Sequence, residues 1–124
     1  MTFITANMAF LEALKPLVNG AVWPFVRPSD ADDLPYIVYS PISNNPLTTL
    51  EGWTGDDQVR MQIDVYADEL SEAEELSKRT IPIIENLESV SATVQDGGTS
   101  SYETDTRLFR CTVEFLVWEK VYER

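Results

Sequence analysis

Three sets of side chains in this chain have the chemistry to be weighed as a site: an aspartate-rich loop, a lone cysteine and a large number of carboxylates. The loop RPSDADDL, residues 27 to 34, brings Asp30, Asp32 and Asp33 together, and hard cations such as calcium require several carboxylate oxygens at one point. The spacing fails. Asp30 and Asp32 match the first two positions of a calcium loop, but Leu34 takes the third ligand position and Pro35 stands where the tight turn needs glycine. A solvated loop is expected instead. Cys111 belongs to the run Phe109, Cys111, Val113, Phe115, Val117, whose two-residue period marks one apolar face, so it reads as a small buried hydrophobe rather than a nucleophile. The 21 acidic residues offer many acid/base candidates, yet none stands in an apolar context that would raise its pKa. The chain has no histidine, which removes Ser-His and Cys-His pairs, imidazole bases and histidine metal sites together. One cysteine cannot supply a zinc thiolate set. Neither GxxxxGK[ST] nor GxGxxG occurs, and Gly97-Gly98 lies in a turn region rather than between a strand and a helix. No enzyme activity, no metal and no cofactor is expected.

What remains is a surface for binding protein. The run QVRMQIDVYAD, residues 58 to 68, places Val59, Met61, Ile63, Val65 and Ala67 on one side and Arg60, Gln62, Asp64, Tyr66 and Asp68 on the other. No Gly or Pro interrupts it, so a central strand is expected with one face in the core and one in water. Arg60, Gln62, Asp64 and Tyr66 of the wet face are candidate interface residues. Leu50 of the TLEG turn and Trp53 join them from the stretch NNPLTTLEGWTGDD, residues 44 to 57, which has no periodicity and reads as a long loop. Trp53 has two readings, folding back to cap an end of the sheet or waiting for a partner.

The flanking elements follow from period and punctuation. Residues 5 to 14 carry Ala6, Phe10, Leu11 and Leu14 at helical spacing, with Thr5 or Asn7 as N-cap and Pro16 as the stop. Residues 21 to 24 read as an edge strand ended by Pro24, and 35 to 43 as a second strand in which Pro41 demands an edge or a bulge. After Asp68 the period becomes helical, with Ser71 and Glu74 as a capping box, a helix to about residue 87, and a kink or break at Pro82. Its acidic first turn suits the helix dipole and forms a solvated face. A hairpin is expected from a strand at 90 to 95, a flexible turn around 96 to 101 and a return strand from 107 to 118, with 119 to 124 fraying.

Composition bounds the function. With 124 residues and 44% hydrophobic content, residues 1–124 are expected to form a single domain. A net charge of -12 argues against nucleic-acid binding, because phosphate contacts need clustered Lys and Arg, and the nine basic residues here are scattered. A single Cys forms no internal disulfide, so nothing requires an oxidising compartment. No Lys or Arg precedes Lys15 and no apolar run approaches a membrane span, so a soluble intracellular protein without leader or membrane contact is expected.

The order of these motifs resembles a known family. An N-terminal helix, NGAVWPFVRPSDADDLPYIVYSPIS, the TLEG turn, VRMQIDVYAD and an acidic helix are similar to the tail completion proteins of long-tailed bacteriophages, which include tail terminators. The likeness spans about residues 10 to 87. Val22 with Pro24, the run Leu34-Pro35-Tyr36-Ile37-Val38-Tyr39, and Val59 to Ala67 carry it. The resemblance implies a structural protein of phage or prophage origin that forms a ring, usually a hexamer, on the finished tail tube. It would end polymerisation and face the head connector protein. Its partners would be copies of itself, the tail tube protein and the head connector protein, and its places the virion tail and, during assembly, the host cytoplasm. A negative lumen would also repel DNA phosphates in transit. The competing reading is a small cytosolic acidic adaptor without a phage role. The expected fold is α+β, a mostly antiparallel (mixed) sheet of about five strands with two helices packed on one face.

Overall fold

The alternation of residues 58 to 67 is realised as the middle of a five-stranded sheet in the computed structural model, which describes residues 5–120. This strand, β3 (Gly52–Ala67), lies between β2 (Tyr36–Thr49) and β5 (Leu108–Lys120), while β1 (Val22–Pro24) and β4 (Ser91–Glu103) form the two edges. β1 runs parallel to β2 and every other neighbour is antiparallel, so the sheet is mixed and mostly antiparallel. Met61, Ile63 and Val65 of β3 are fully buried, as are Val113, Phe115 and Val117 of β5. Each such side chain contributes about 1.5–3 kcal/mol relative to exposure.

Two helices cover that face. α1 (Ala6–Leu14) is capped by Thr5, whose Oγ1 accepts from the Met8 N–H at 3.3 Å, and its Phe10 ring meets Phe115 edge-on at 5.7 Å. α2 (Leu70–Glu85) turns Ala73, Leu76, Ser77, Thr80 and Ile84 inward. The buried hydroxyls remain satisfied because Ser77 and Thr80 donate to the carbonyls of Glu74 and Ser77, at 2.8 and 2.6 Å. The α+β expectation, with both helices on one face, therefore holds.

Several local expectations do not. The Ser71–Glu74 capping box is absent, because Glu69 is the N-cap and Ser71 already lies inside α2. No break occurs at Pro82, and the helix continues to Glu85 rather than to residue 87. The prolyl ring sits near the C-terminal end, where few further helical bonds depend on it, and the Asn86 N–H still bonds the Pro82 carbonyl at 3.1 Å. Residues 44 to 57 are not a loop. β2 and β3 run on past the helical layer as a paired arm, with Asn44 opposite Val59, Pro46 opposite Asp57 and Thr49 opposite Gly52. The register slips between Pro41 and Ser43, which is the bulge that Pro41 demanded, and again between Pro46 and Thr48. Gly52 turns the chain at φ +108, a conformation open to glycine.

The second hairpin is likewise longer than its sequence indicates. β4 continues to Glu103 through the Gly97-Gly98 pair, and the turn falls at residues 104 to 107, where Arg107 adopts φ 60. Lys78 of α2 donates to the Gly97 carbonyl at 2.7 Å, and a Cβ on Gly98 would meet the Cys111 sulfur at 3.4 Å. Glu119 and Lys120 do not fray, since they pair with Asp57 and Asp56. Residues 121–124 lie outside the described residues.

Candidate functional site

The register assembles the wet face of β3 with its neighbours. Tyr36, Val38 and Ser40 of β2 stand beside Tyr66, Asp64 and Gln62, and Arg110, Thr112 and Glu114 of β5 stand on their other side. Asp64 is only 6% exposed, and its carboxylate accepts from Gln62 Nε2 at 3.0 Å and Thr112 Oγ1 at 2.6 Å. Tyr66 stacks on Tyr36 with centroids 4.6 Å apart, and the Arg27 guanidinium lies 4.1 Å from the centre of the Tyr36 ring. Trp23 meets Tyr36 edge-on, while Arg110 bonds Tyr66 and lies 3.5 Å from Glu103. Burial pushes both tyrosine hydroxyls above their ordinary range, opposed at Tyr36 by Arg27 and at Tyr66 by the bond from Arg110.

Of the four expected contact residues on this face, only Arg60 is exposed, and it pairs with Glu114 at 3.3 Å. Gln62, Asp64 and Tyr66 are engaged within the chain. Alternation told which side of the sheet they share. It did not tell that residues 25 to 35 would cross one end of that side and bring Arg27 onto Tyr36. A cavity of about 270 Å³ lies there, between Phe25, Val26, Tyr66 and Glu103. Phe25 and Val26 are themselves exposed, and Phe25 adopts φ 66. The sequence signal for them is two apolar residues set between Pro24 and Pro28.

The arm carries the other two candidates. Leu50 at its tip is fully exposed, and Leu47, Ile42 and Trp53 leave large parts of their side chains in water. Trp53 lies along the arm. Its Nε1 donates to Asp57 Oδ1 at 3.0 Å and to the Asp56 carbonyl at 3.3 Å, folding the ring along the arm, while 37% of it stays exposed.

Where the arm leaves the body, one carboxylate contradicts the expectation that none is held in an apolar context. Glu119 continues the apolar parity of Phe115 and Val117, is 7% exposed, and accepts from the Ala6 N–H at the start of α1. Burial pushes its pKa up; the Ala6 bond opposes this and the nearby Asp57 reinforces it. The same two-residue period, carried two residues further, would have found it. Cys111 is buried, with the Ser100 hydroxyl 3.8 Å from its sulfur. Among the described residues no three His, Cys, Asp or Glu side chains are grouped to hold a metal ion, and no helix is long and apolar enough to cross a membrane.

A family model described as tail completion protein gp17 matches residues 4–120. Among solved structures, the chain is similar to one from the virion of a native gene transfer agent particle, with a TM-score of 0.63 and 14% identity. That alignment covers 86% of this chain and 84% of the other, and at this identity it establishes the fold. No curated protein matches the chain.

Proposed function

The chain belongs to the tail completion protein gp17 family, structural components of the phage tail, and on that premise we propose that it closes a finished tail tube as a hexameric ring. In this reading it ends tube polymerisation, presents its outer surface to the head connector protein, and acts by contact rather than by catalysis. It assembles in the host cytoplasm and ends in the virion tail. The observation that carries the reading is the arm: paired strands leave the body and expose Ile42, Leu47, Leu50 and Trp53. Clustered exposed apolar residues mark contact sites, and a ring needs each copy to offer its neighbour a surface different from the one it receives. The net charge of -12 supports a channel that DNA crosses without adhering, since like charge repels phosphates.

The experiment is reconstitution with tail tubes made from the tube protein alone. The reading expects the protein at tube ends only, as a ring in end-on electron micrographs, and tubes that stop growing once it is bound. Binding along tube walls, or growth unaffected by saturating protein, would refute it.

A further inference from the structure

We propose that the apolar tip of the arm, Leu47, Leu50 and Trp53, seats in the groove between α1 and the segment after α2 of the next copy of this chain. The inference rests on the ring reading and names its contact. The groove measures about 390 Å³ and is lined by Met8, Ala9, Glu12, Ala13, Leu87 and Ser89. Its apolar walls suit apolar side chains rather than an ion or a polar ligand. Leu50 is fully exposed, so an arm does not fill the groove of its own copy.

Charge selects a second copy as the occupant. In a chain that is 24% charged and strongly acidic, residues 41–55 hold a single charged residue, Glu51. The groove holds one as well, Glu12, and Lys15 pairs with it at 3.3 Å. Two copies at a net charge of -12 repel over most of their surfaces, and these two patches can meet with little repulsion. Among the described residues β3 is registered with β5 as far as Asp56 opposite Lys120, and the arm continues from there through Gly52 to the turn that holds Leu50. The four steps from Asp56 to Gly52, at a rise of about 3.3 Å per residue, carry the tip about 13 Å past that pair, with Leu50 in the turn at the end. Tip and groove are different surfaces, so every copy gives one contact and receives one. Such an interface propagates head to tail and closes into a ring when its rotation permits.

The test mixes two single variants, Leu50→Cys and Met8→Cys, on tail tubes and in high salt under mild oxidation. Both positions are exposed, and the native Cys111 is buried. The proposal expects a disulfide-linked dimer in the mixture and none in either variant alone, and a ladder of linked copies from the double variant. A ring seen by microscopy without that dimer overturns the arm contact and leaves the ring reading standing. A Leu50→Cys dimer formed without its partner variant overturns it as well, because it reports a symmetric contact. The mixed dimer formed in salt by a protein that ignores tubes supports the contact and overturns the ring on the tube. Parent and variants that stay monomeric and unlinked throughout overturn both.

Discussion

Asp57 and Glu119 face each other across β3 and β5, both more than nine-tenths buried, and Glu119 also receives the N–H of Ala6. Two acids at one cross-strand position repel, so the pair is tolerated because the Trp53 indole donates to Asp57 and the α1 N-terminus donates to Glu119. The base of the arm, the end of β5 and the start of α1 are thus joined through two carboxylates.

The raised pKa of Glu119 fixes the sign of its effect on stability. A carboxyl with a folded pKa above its ordinary 4.5 holds its proton more tightly when folded. Its contribution is therefore present below about pH 4.5 and lost as pH rises through the folded value. Glu119→Gln keeps an acceptor for Ala6 and removes the charge, so the variant should melt higher than the parent at pH 7. The gap should shrink as pH falls toward 4.5. Thermal melts of both proteins across this range check it; a gap that does not change with pH would contradict it.

Ile63 is fully buried at the centre of β3. Ile63→Asp places an unpaired carboxylate there and should cost several kcal/mol, against a total stability of about 5–15 kcal/mol for an ordinary domain. The milder Phe10→Ala loses the contact with Phe115 and should cost about 3–5 kcal/mol while leaving the fold in place. Urea titration followed by circular dichroism measures both, and a parent-like melt for Ile63→Asp would mean that this face is not core.

In the sheet register Thr48 faces Trp53 and Thr49 faces Gly52 across the arm, whereas Met61 to Val65 have a partner strand on both sides. Amide exchange in the free subunit should be fast in the arm and slow in the middle of β3. Equal protection in the two segments would contradict it.

Leu50 is fully exposed, so the melt of Leu50→Asp should stay within about 0.5 kcal/mol of the parent. The variant's capacity to join other copies should be lost. Parent-like assembly of this variant would remove the arm tip from the interface.

The sequence was legible where one face of an element is buried and the other is not. Met61, Ile63 and Val65 alternate with Gln62 and Asp64 because helices cover one side of β3, and Phe10 and Leu14 fall at helical spacing for the same reason. From Ser43 to Trp53 the arm is exposed on both sides, so selection for burial leaves no period and a strand looks like a loop. β4 beyond Val94 is hidden similarly, with Gly97 and Gly98 added as turn-like residues inside a strand. The burial of Asp64 was illegible because Thr112, which bonds it, lies 48 residues away in sequence.

On the ring reading, the free subunit associates weakly and forms its ring on the tube. At a net charge of -12, copies repel one another, and salt weakens that repulsion by shortening the Debye length from about 10 Å at 0.1 M to about 3 Å at 1 M. Tubes act differently, by holding each next copy at high effective concentration. Sedimentation velocity across a salt series, with and without tail tubes, measures both effects. Monomer at low salt, growing association as salt rises, and stoichiometric capture of a ring by tubes at low salt are expected; a stable hexamer at low salt without tubes, or a monomer that never joins them, would overturn the ring on the tube.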